Sequence, residues 1–193
     1  MDPTILVVIV AAVVVLVPLI WWIATYNTFV RLKHTLKESW ADIDVELKRR
    51  YELIPNLVET VKGYAKHERD VLEKVVSLRN QAMANHGSPA SQGKDENALL
   101  LGMKSLFGVV ESYPQLKSDA NFRALQEELA VTEDRIAAAR RFFNGNVRDL
   151  RNLRESFPTS VVGSAMGIGQ PTFFEIEDAN ERVVPRVDVG GGR

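Results

Sequence analysis

Between Ile5 and Ala24 the sequence runs ILVVIVAAVVVLVPLIWWIA without a single charged residue. At about 1.5 Å of rise per residue, such a run makes a helix of about 30 Å, the thickness of a bilayer's hydrocarbon core. It is read as a transmembrane helix that stays in place. A cleaved leader would open on basic residues, carry a shorter apolar stretch and end on small side chains. Here Asp2 precedes the run, and bulky Trp21, Trp22 and Tyr26 close it. These three aromatics are the expected membrane-interface residues, because rings with one polar edge favour the headgroup boundary. Pro18 is tolerable in a membrane helix.

The flanks orient the span. No Lys or Arg precedes it, whereas Arg31, Lys33 and Lys37 follow closely and Lys48, Arg49 and Arg50 come further on. The excess of basic residues after the span predicts that the larger part of the chain lies in the cytoplasm.

Beyond the anchor, Phe29, Leu32, Leu36, Trp40, Ile43, Leu47, Tyr51 and Ile54 recur at intervals of three and four, the spacing of one helix face. The membrane helix is expected to run straight into this seam. A second seam follows through Leu57, Val58, Val61, Ala65, Leu72, Val75 and Leu78. Pro55 separates the two, and proline removes an amide from a helix and clashes with the carbonyl four residues earlier. The chain must kink or reverse there, and the roughly equal halves favour an antiparallel hairpin.

Residues 85–96, NHGSPASQGKDE, read as a loop. A third helix is expected from about Asn97 to Ser112. Ser118 is a suitable N-cap for a fourth, whose seam runs from Phe122 through Leu129, Ile136 and Phe143 to Leu153. The fold class is therefore all-α: an N-terminal transmembrane helix continuing into an up-and-down four-helix bundle. The expected divisions are an anchor over 1–27, the bundle over 28–157, a short C-terminal helix and packing segment over 158–177, and a flexible tail over 178–193.

Charge and composition then narrow the chemistry. With 24 basic and 25 acidic residues, the net charge of -1 offers no field for nucleic acid. The absence of cysteine excludes disulfides and thiolate sites. A helical bundle invites a di-iron reading, but none of His34, His67 and His86 has a carboxylate three residues before it. The sequence also lacks a phosphate-binding glycine loop, a nucleophile elbow and an HExxH zinc signature. No catalytic residue, cofactor or metal ligand is expected.

The charged residues flanking the seams have two readings. As surface charge, each exposed pair is worth about 0 to 1 kcal/mol. If instead Asp44 or Glu46 meets Arg135 or Arg140 in the interior, the pairs fix which helices pack together. Asp44, Arg49, Arg50, Arg135 and Arg140 are the candidates.

An N-terminal anchor and three stretches after it, in order, bring a resemblance: WADIDVELKRRYELIPNLVETVKGYAKHE, YPQLKSDANFRALQEELAVTEDRIAAARRFFN and FPTSVVGSAMG. The chain resembles the LemA family of bacterial membrane proteins over about residues 26–175. Within the motif LKRRYELIPNLVETVKGY stand Arg49, Arg50, Pro55 and Asn56. The family commonly has Tyr-Asn where Phe143-Asn144 stands here, which removes a tyrosine hydroxyl from that helix. The resemblance implies a single-pass protein of the bacterial inner membrane with a helical bundle and no established enzymatic activity. Some of its members are tied to formation of the magnetosome organelle.

Two functions are compatible with these features. The first is a non-enzymatic structural or interaction protein that organises membrane or envelope, with the lipid bilayer, further copies of itself and other membrane proteins as partners. Its contacts are expected in the bundle and the C-terminal segment, through Phe157, Phe173 and Phe174. The second is a membrane-anchored sensor or regulatory adaptor with a ligand between its helices.

Overall fold

The computed structural model describes residues 2–176, which form six α-helices and no strand. Helix α1 spans Pro3–Tyr64, α2 Arg69–Ala84, α3 Pro89–Glu111, α4 Pro114–Ser118, α5 Ala120–Glu155 and α6 Thr159–Ala165. The all-helical class stands, with six helices among the described residues where the sequence suggests four after the anchor. The tail expected from residue 178 lies outside the described residues.

Three expectations are corrected. The first is the hairpin at Pro55, because α1 passes through that residue and continues to Tyr64. Pro55 sits on the exposed side of the helix, while Ile54, Leu57 and Val58 stay buried on the other. The missing amide therefore costs one hydrogen bond on the solvent side, and the buried seam keeps the helix on course. The chain turns instead at residues 65–68, where the Ala65 amide still donates to Val61 and the Glu68 amide donates to Ala65.

The second correction concerns the loop over 85–96, most of which is helix. Ser88 is an N-cap in extended conformation whose hydroxyl accepts from the Ser91 amide at 3.2 Å, and Pro89 opens α3. Proline fits that first position because its absent donor would have been unpaired anyway. Glycine and serine richness disguised a helix start.

The third concerns α5, which is capped by Asp119 and not by Ser118. The Asp119 carboxylate accepts from the Phe122 amide at 2.9 Å, whereas the Ser118 hydroxyl donates back to the Pro114 carbonyl at 3.0 Å.

The chain resolves into two compact units. The first joins Met1–Leu53 to Gln126–Phe173, and the second joins Ile54–Leu125 to the segment from Phe174. In the first, α1 and α5 bury facing seams: Phe29, Ile43, Leu47 and Tyr51 from one, Leu129, Ile136, Phe143 and Val147 from the other. Trp40 lies against Phe143, ring centroids 5.3 Å apart. Near the anchor, Phe29, Leu150, Val162 and Ile168 form a cluster that takes in Trp21, Leu32, Leu36, Leu153 and Met166. Helix α6 thus packs on the juxtamembrane part of its own chain. Gly163 permits this, since a Cβ there would lie 2.9 Å from Phe29 Cζ.

In the second unit, the end of α1 contributes Leu57, Val61 and Ala65, α2 contributes Leu72 and Val75, and α3 contributes Leu99, Met103 and Leu106. Phe174 and Ile176 are also buried there. A Cβ on Gly93 would meet the Glu175 carbonyl oxygen at 2.5 Å, so this glycine is what lets the C-terminal segment lie against α3.

Candidate functional site

Three places in the structure concentrate what the chain could use: the apolar start of α1, the charged flank of the α1 and α5 seam, and an open cleft beside the end of α1. Among the described residues, no three His, Cys, Asp or Glu side chains converge as the ligands of a metal ion would.

The start of α1 is long and apolar enough to cross a membrane, and none of its most apolar stretch is buried by protein. Val7, Val8, Val14, Val15 and Ile20 are each about two thirds exposed, an arrangement that only an apolar surrounding rewards. At its end, Trp22 and Tyr26 are exposed and Trp21 is half-buried against the juxtamembrane cluster.

On the seam, Arg50 is completely buried, and its Nη1 donates to both carboxylate oxygens of Glu133, at 2.9 and 3.1 Å. A buried guanidinium requires such a partner, because taking a charge from water without compensation costs several kcal/mol. Around it lie Glu46 with Arg135 at 3.9 Å and Arg49 with Glu128 at 3.6 Å. Asp44 is engaged elsewhere, by Lys48 one turn along α1 at 2.7 Å on the surface. Arg140 is half-buried on α5. The interior pair is thus Arg50 with Glu133, a partner the sequence reading passed over. Both were findable by position. Arg50 falls three after Leu47 and four before Ile54, and Glu133 four after Leu129 and three before Ile136, so each sits on its own helix's seam.

Pro55 and Asn56 are exposed on α1, where the Asn56 carbonyl accepts from the Thr60 hydroxyl at 2.8 Å. Phe173 lies beneath the Arg151 guanidinium, 4.7 Å from its ring centre. Phe174 is fully buried, and Phe157 is 87% exposed.

The second unit holds polar groups that the sequence reading did not single out. Gln92 and Glu96, both buried on α3, are joined by a 2.8 Å hydrogen bond, and the Gln92 amide also donates to the Ala82 carbonyl at the end of α2 at 3.0 Å. Tyr64 donates its hydroxyl to Asp119 at 3.0 Å. The Phe122 amide, and then this hydroxyl, hold the Asp119 carboxyl below its usual range, while the carboxylate raises the Tyr64 hydroxyl.

Beside these lies a cleft of about 920 Å³ between the end of α1 and α2. Val58, Leu72 and Val76 supply apolar wall, and Lys62, Lys66, Arg69, Glu59 and Glu73 also line it. Its charged side chains are exposed, and Lys62 already pairs with Glu59 at 3.0 Å.

The sequence profile of the LemA family matches residues 39–189. The chain belongs to the LemA family. The buried Arg50 and Glu133 pair and the cleft both fall inside the LemA match, whereas the apolar start of α1 precedes it. Among curated relatives, the magnetosome protein MamQ 2 of Paramagnetospirillum magneticum is 23% identical over 181 residues, covering 81% of this chain and 66% of that protein. The magnetosome protein MamQ of Magnetospirillum gryphiswaldense is 22% identical over 181 residues with the same coverage. Protein LemA of Metamycoplasma hominis is 20% identical over 171 residues, 87% of this chain and 74% of that protein. The chain therefore spans slightly less than two thirds of the length of the magnetosome relatives. Family and anchor together mark a membrane-associated helical protein.

Proposed function

We propose that this LemA family member is a single-pass, non-enzymatic structural protein of a bacterial inner membrane, which associates with copies of itself and helps to organise membrane or envelope. The observation that carries the reading is α1: one unbroken helix is apolar and exposed at its start and forms half of a packed seam further on. The bilayer span and the protein core are then parts of one element. The relatives named as magnetosome proteins agree with a role in organisation.

Self-association needs a surface. Phe174 is fully buried and Phe173 is half-buried under Arg151, so they are poor candidates for it. The outer face of α5 is a better one: Val131, Ala138 and Phe142 are exposed at intervals of seven and four, the spacing of a second helical seam. Anchoring confines all copies to one plane and raises their effective concentration, so weak contacts suffice. The basic residues after the span favour the cytoplasmic side for this face.

The test is the size of the full-length chain in native-membrane nanodiscs. An oligomer is expected, reduced by Phe142→Glu without loss of helicity. A monomer at high loading would remove the scaffold reading. Because the chain has no cysteine, Thr4→Cys and His86→Cys can be labelled separately in intact cells. Labelling of His86→Cys but not Thr4→Cys from outside would reverse the orientation. The open cleft favours a second reading, a membrane-anchored sensor or adaptor. In that case Lys66→Glu on its wall should abolish the cellular effect while leaving oligomer size unchanged.

A further inference from the structure

The α1 and α5 pairing fixes the height of every residue on α5 relative to the anchor. Glu46, Arg50 and Trp40 of α1 meet Arg135, Glu133 and Phe143 of α5, so each step toward the start of α1 is one step toward the end of α5. The register holds to the juxtamembrane cluster, where Phe29 and Leu32 meet Leu150 and Leu153. The Ser156 amide still bonds to the Asn152 carbonyl at 2.9 Å, so helical spacing persists past Glu155. Carried on, the register brings Phe157 level with about Thr25, next to the last residue of the apolar run.

Phe157 is the most exposed large hydrophobic side chain among the described residues, at 87%. It does not stand alone. From Ser156 to Phe174 the sequence contains no charged residue, in a chain where 25% are charged. Helix α6 turns Val162 and Gly163 inward against Phe29, and leaves Pro158, Val161 and Ala165 facing out at intervals of three and four. Its outward side is therefore apolar or neutral. The cluster behind it reaches Trp21, which lies within the apolar run itself.

We infer that the turn from α5 into α6 is a second membrane contact, in which Phe157 and Val161 enter the interfacial layer of the same bilayer that α1 crosses. This rests on the reading of Ile5–Ala24 as a membrane span. In water, an uncharged face with an almost fully exposed phenylalanine loses the free energy that burial would return. At the headgroup boundary, aromatic side chains are favoured and neighbouring cations find anionic lipid. The cations are in place: Lys33 and Lys37 line a hollow of about 390 Å³ with Tyr26, Val30, His34 and Met166. Helix side chains tilt toward their own N-terminus, which for these residues is toward the bilayer. Backbone contacts hold the segment in position, since Arg154 Nε donates to the Ile168 carbonyl at 2.9 Å and Arg151 Nε to that of Pro171 at 3.1 Å. The α1 and α5 pair would thereby be fixed to the membrane at two points, which restricts its tilt.

The test uses full-length protein in vesicles of zwitterionic and anionic lipid. Single cysteines at Phe157→Cys, Val161→Cys, Val13→Cys and His86→Cys carry a nitroxide label, and collision with oxygen is compared with collision with a water-soluble nickel chelate. Labels at 157 and 161 are expected to favour oxygen over nickel, to a smaller degree than the label at 13, while the label at 86 favours nickel. If 157 and 161 both match 86 while 13 retains its bilayer signature, the second contact is refuted and the anchor stands. If 13 itself reads water, the anchor reading falls and this inference with it.

Discussion

The two units are held together by different means. In the first unit, two long helices face each other, and their seams carry a buried ion pair with further charges at the flank. The second unit contains both ends of α2, α3 and α4, and each helix end leaves backbone groups without an intrahelical partner. Polar side chains gather there accordingly: Ser88 and Asp119 cap starts, Gln92 takes the Ala82 carbonyl, and Asn85 receives the Gly87 amide at 2.8 Å. Long helices spend their polar residues on register, and short helices spend them on termini.

Removing one partner of the buried pair should give the largest effect. Glu133→Ala leaves the Arg50 charge buried, a situation that costs about 3 to 5 kcal/mol, and the partial exposure of Glu133 places it toward the lower end. Replacing both residues by leucine should recover most of that loss, because apolar replacements of buried pairs are often neutral or better. Chemical unfolding of the three variants measures this. A double variant as unstable as Glu133→Ala would show that Arg50 works through contacts other than this carboxylate.

Next come the two glycines where chain segments touch. Gly163→Ala sets a methyl against the Phe29 ring in the first unit, and Gly93→Ala sets one against the Glu175 backbone in the second. Overpacking of this kind costs about 1 to 3 kcal/mol. Backbone cannot swing aside as a ring can, so Gly93→Ala should be the worse of the two. Equal thermal shifts would mean that the C-terminal segment yields as easily as a side chain.

Much of this architecture could be read from spacing alone. The anchor, the α1 seam and the α5 seam are long repeats, and each added turn strengthens the signal. Pro55 misled because the rule for helix interiors is local, while the buried residues on either side of it act over many turns. The start of α3 was hidden because Ser-Pro serves both turns and helix caps, and only the structure shows the Ser88 hydroxyl on the Ser91 amide. The Arg50 and Glu133 partnership was half legible: both positions follow their seams, but which acid faces which base depends on register between helices 83 residues apart in sequence. Gln92 and Glu96 were lost with the loop assignment, since their i, i+4 relation has meaning only on a helix.

A smaller effect separates glycines that touch something from those that do not. Gly108 in α3 and Gly145 in α5 have open space where a Cβ would stand. Alanine at either should stabilise by about 0.5 to 1 kcal/mol, the difference in helix propensity. Gly145→Ala and Gly108→Ala should give similar rises in unfolding midpoint. A loss at Gly145 alone would reveal that the first unit uses this glycine for close approach to another molecule, which bears on self-association through α5.

The smallest effect is the pH response of the second unit's surface contact between Tyr64 and Asp119. Asp119 titrates below its ordinary 3.8, so its contribution is present above that value and is lost as pH falls through the lower, folded-state value. Tyr64 titrates above its ordinary 10.0, so its contribution is present below that value and is lost as pH rises through the higher one. The contact is thus intact over the whole middle of the pH range and weakens at both extremes. Its two causes can be separated, because the Phe122 amide acts on Asp119 more strongly than the Tyr64 hydroxyl does. In Tyr64→Phe, an NMR titration should find the Asp119 value raised but still below that of an unfolded chain, since the helix cap persists. If it returned all the way, the hydroxyl would be the whole cause and the cap at the start of α5 would contribute nothing to the carboxylate. Asp119→Asn should then remove the acid-side slope while keeping α5 capped, because asparagine accepts from the same amide.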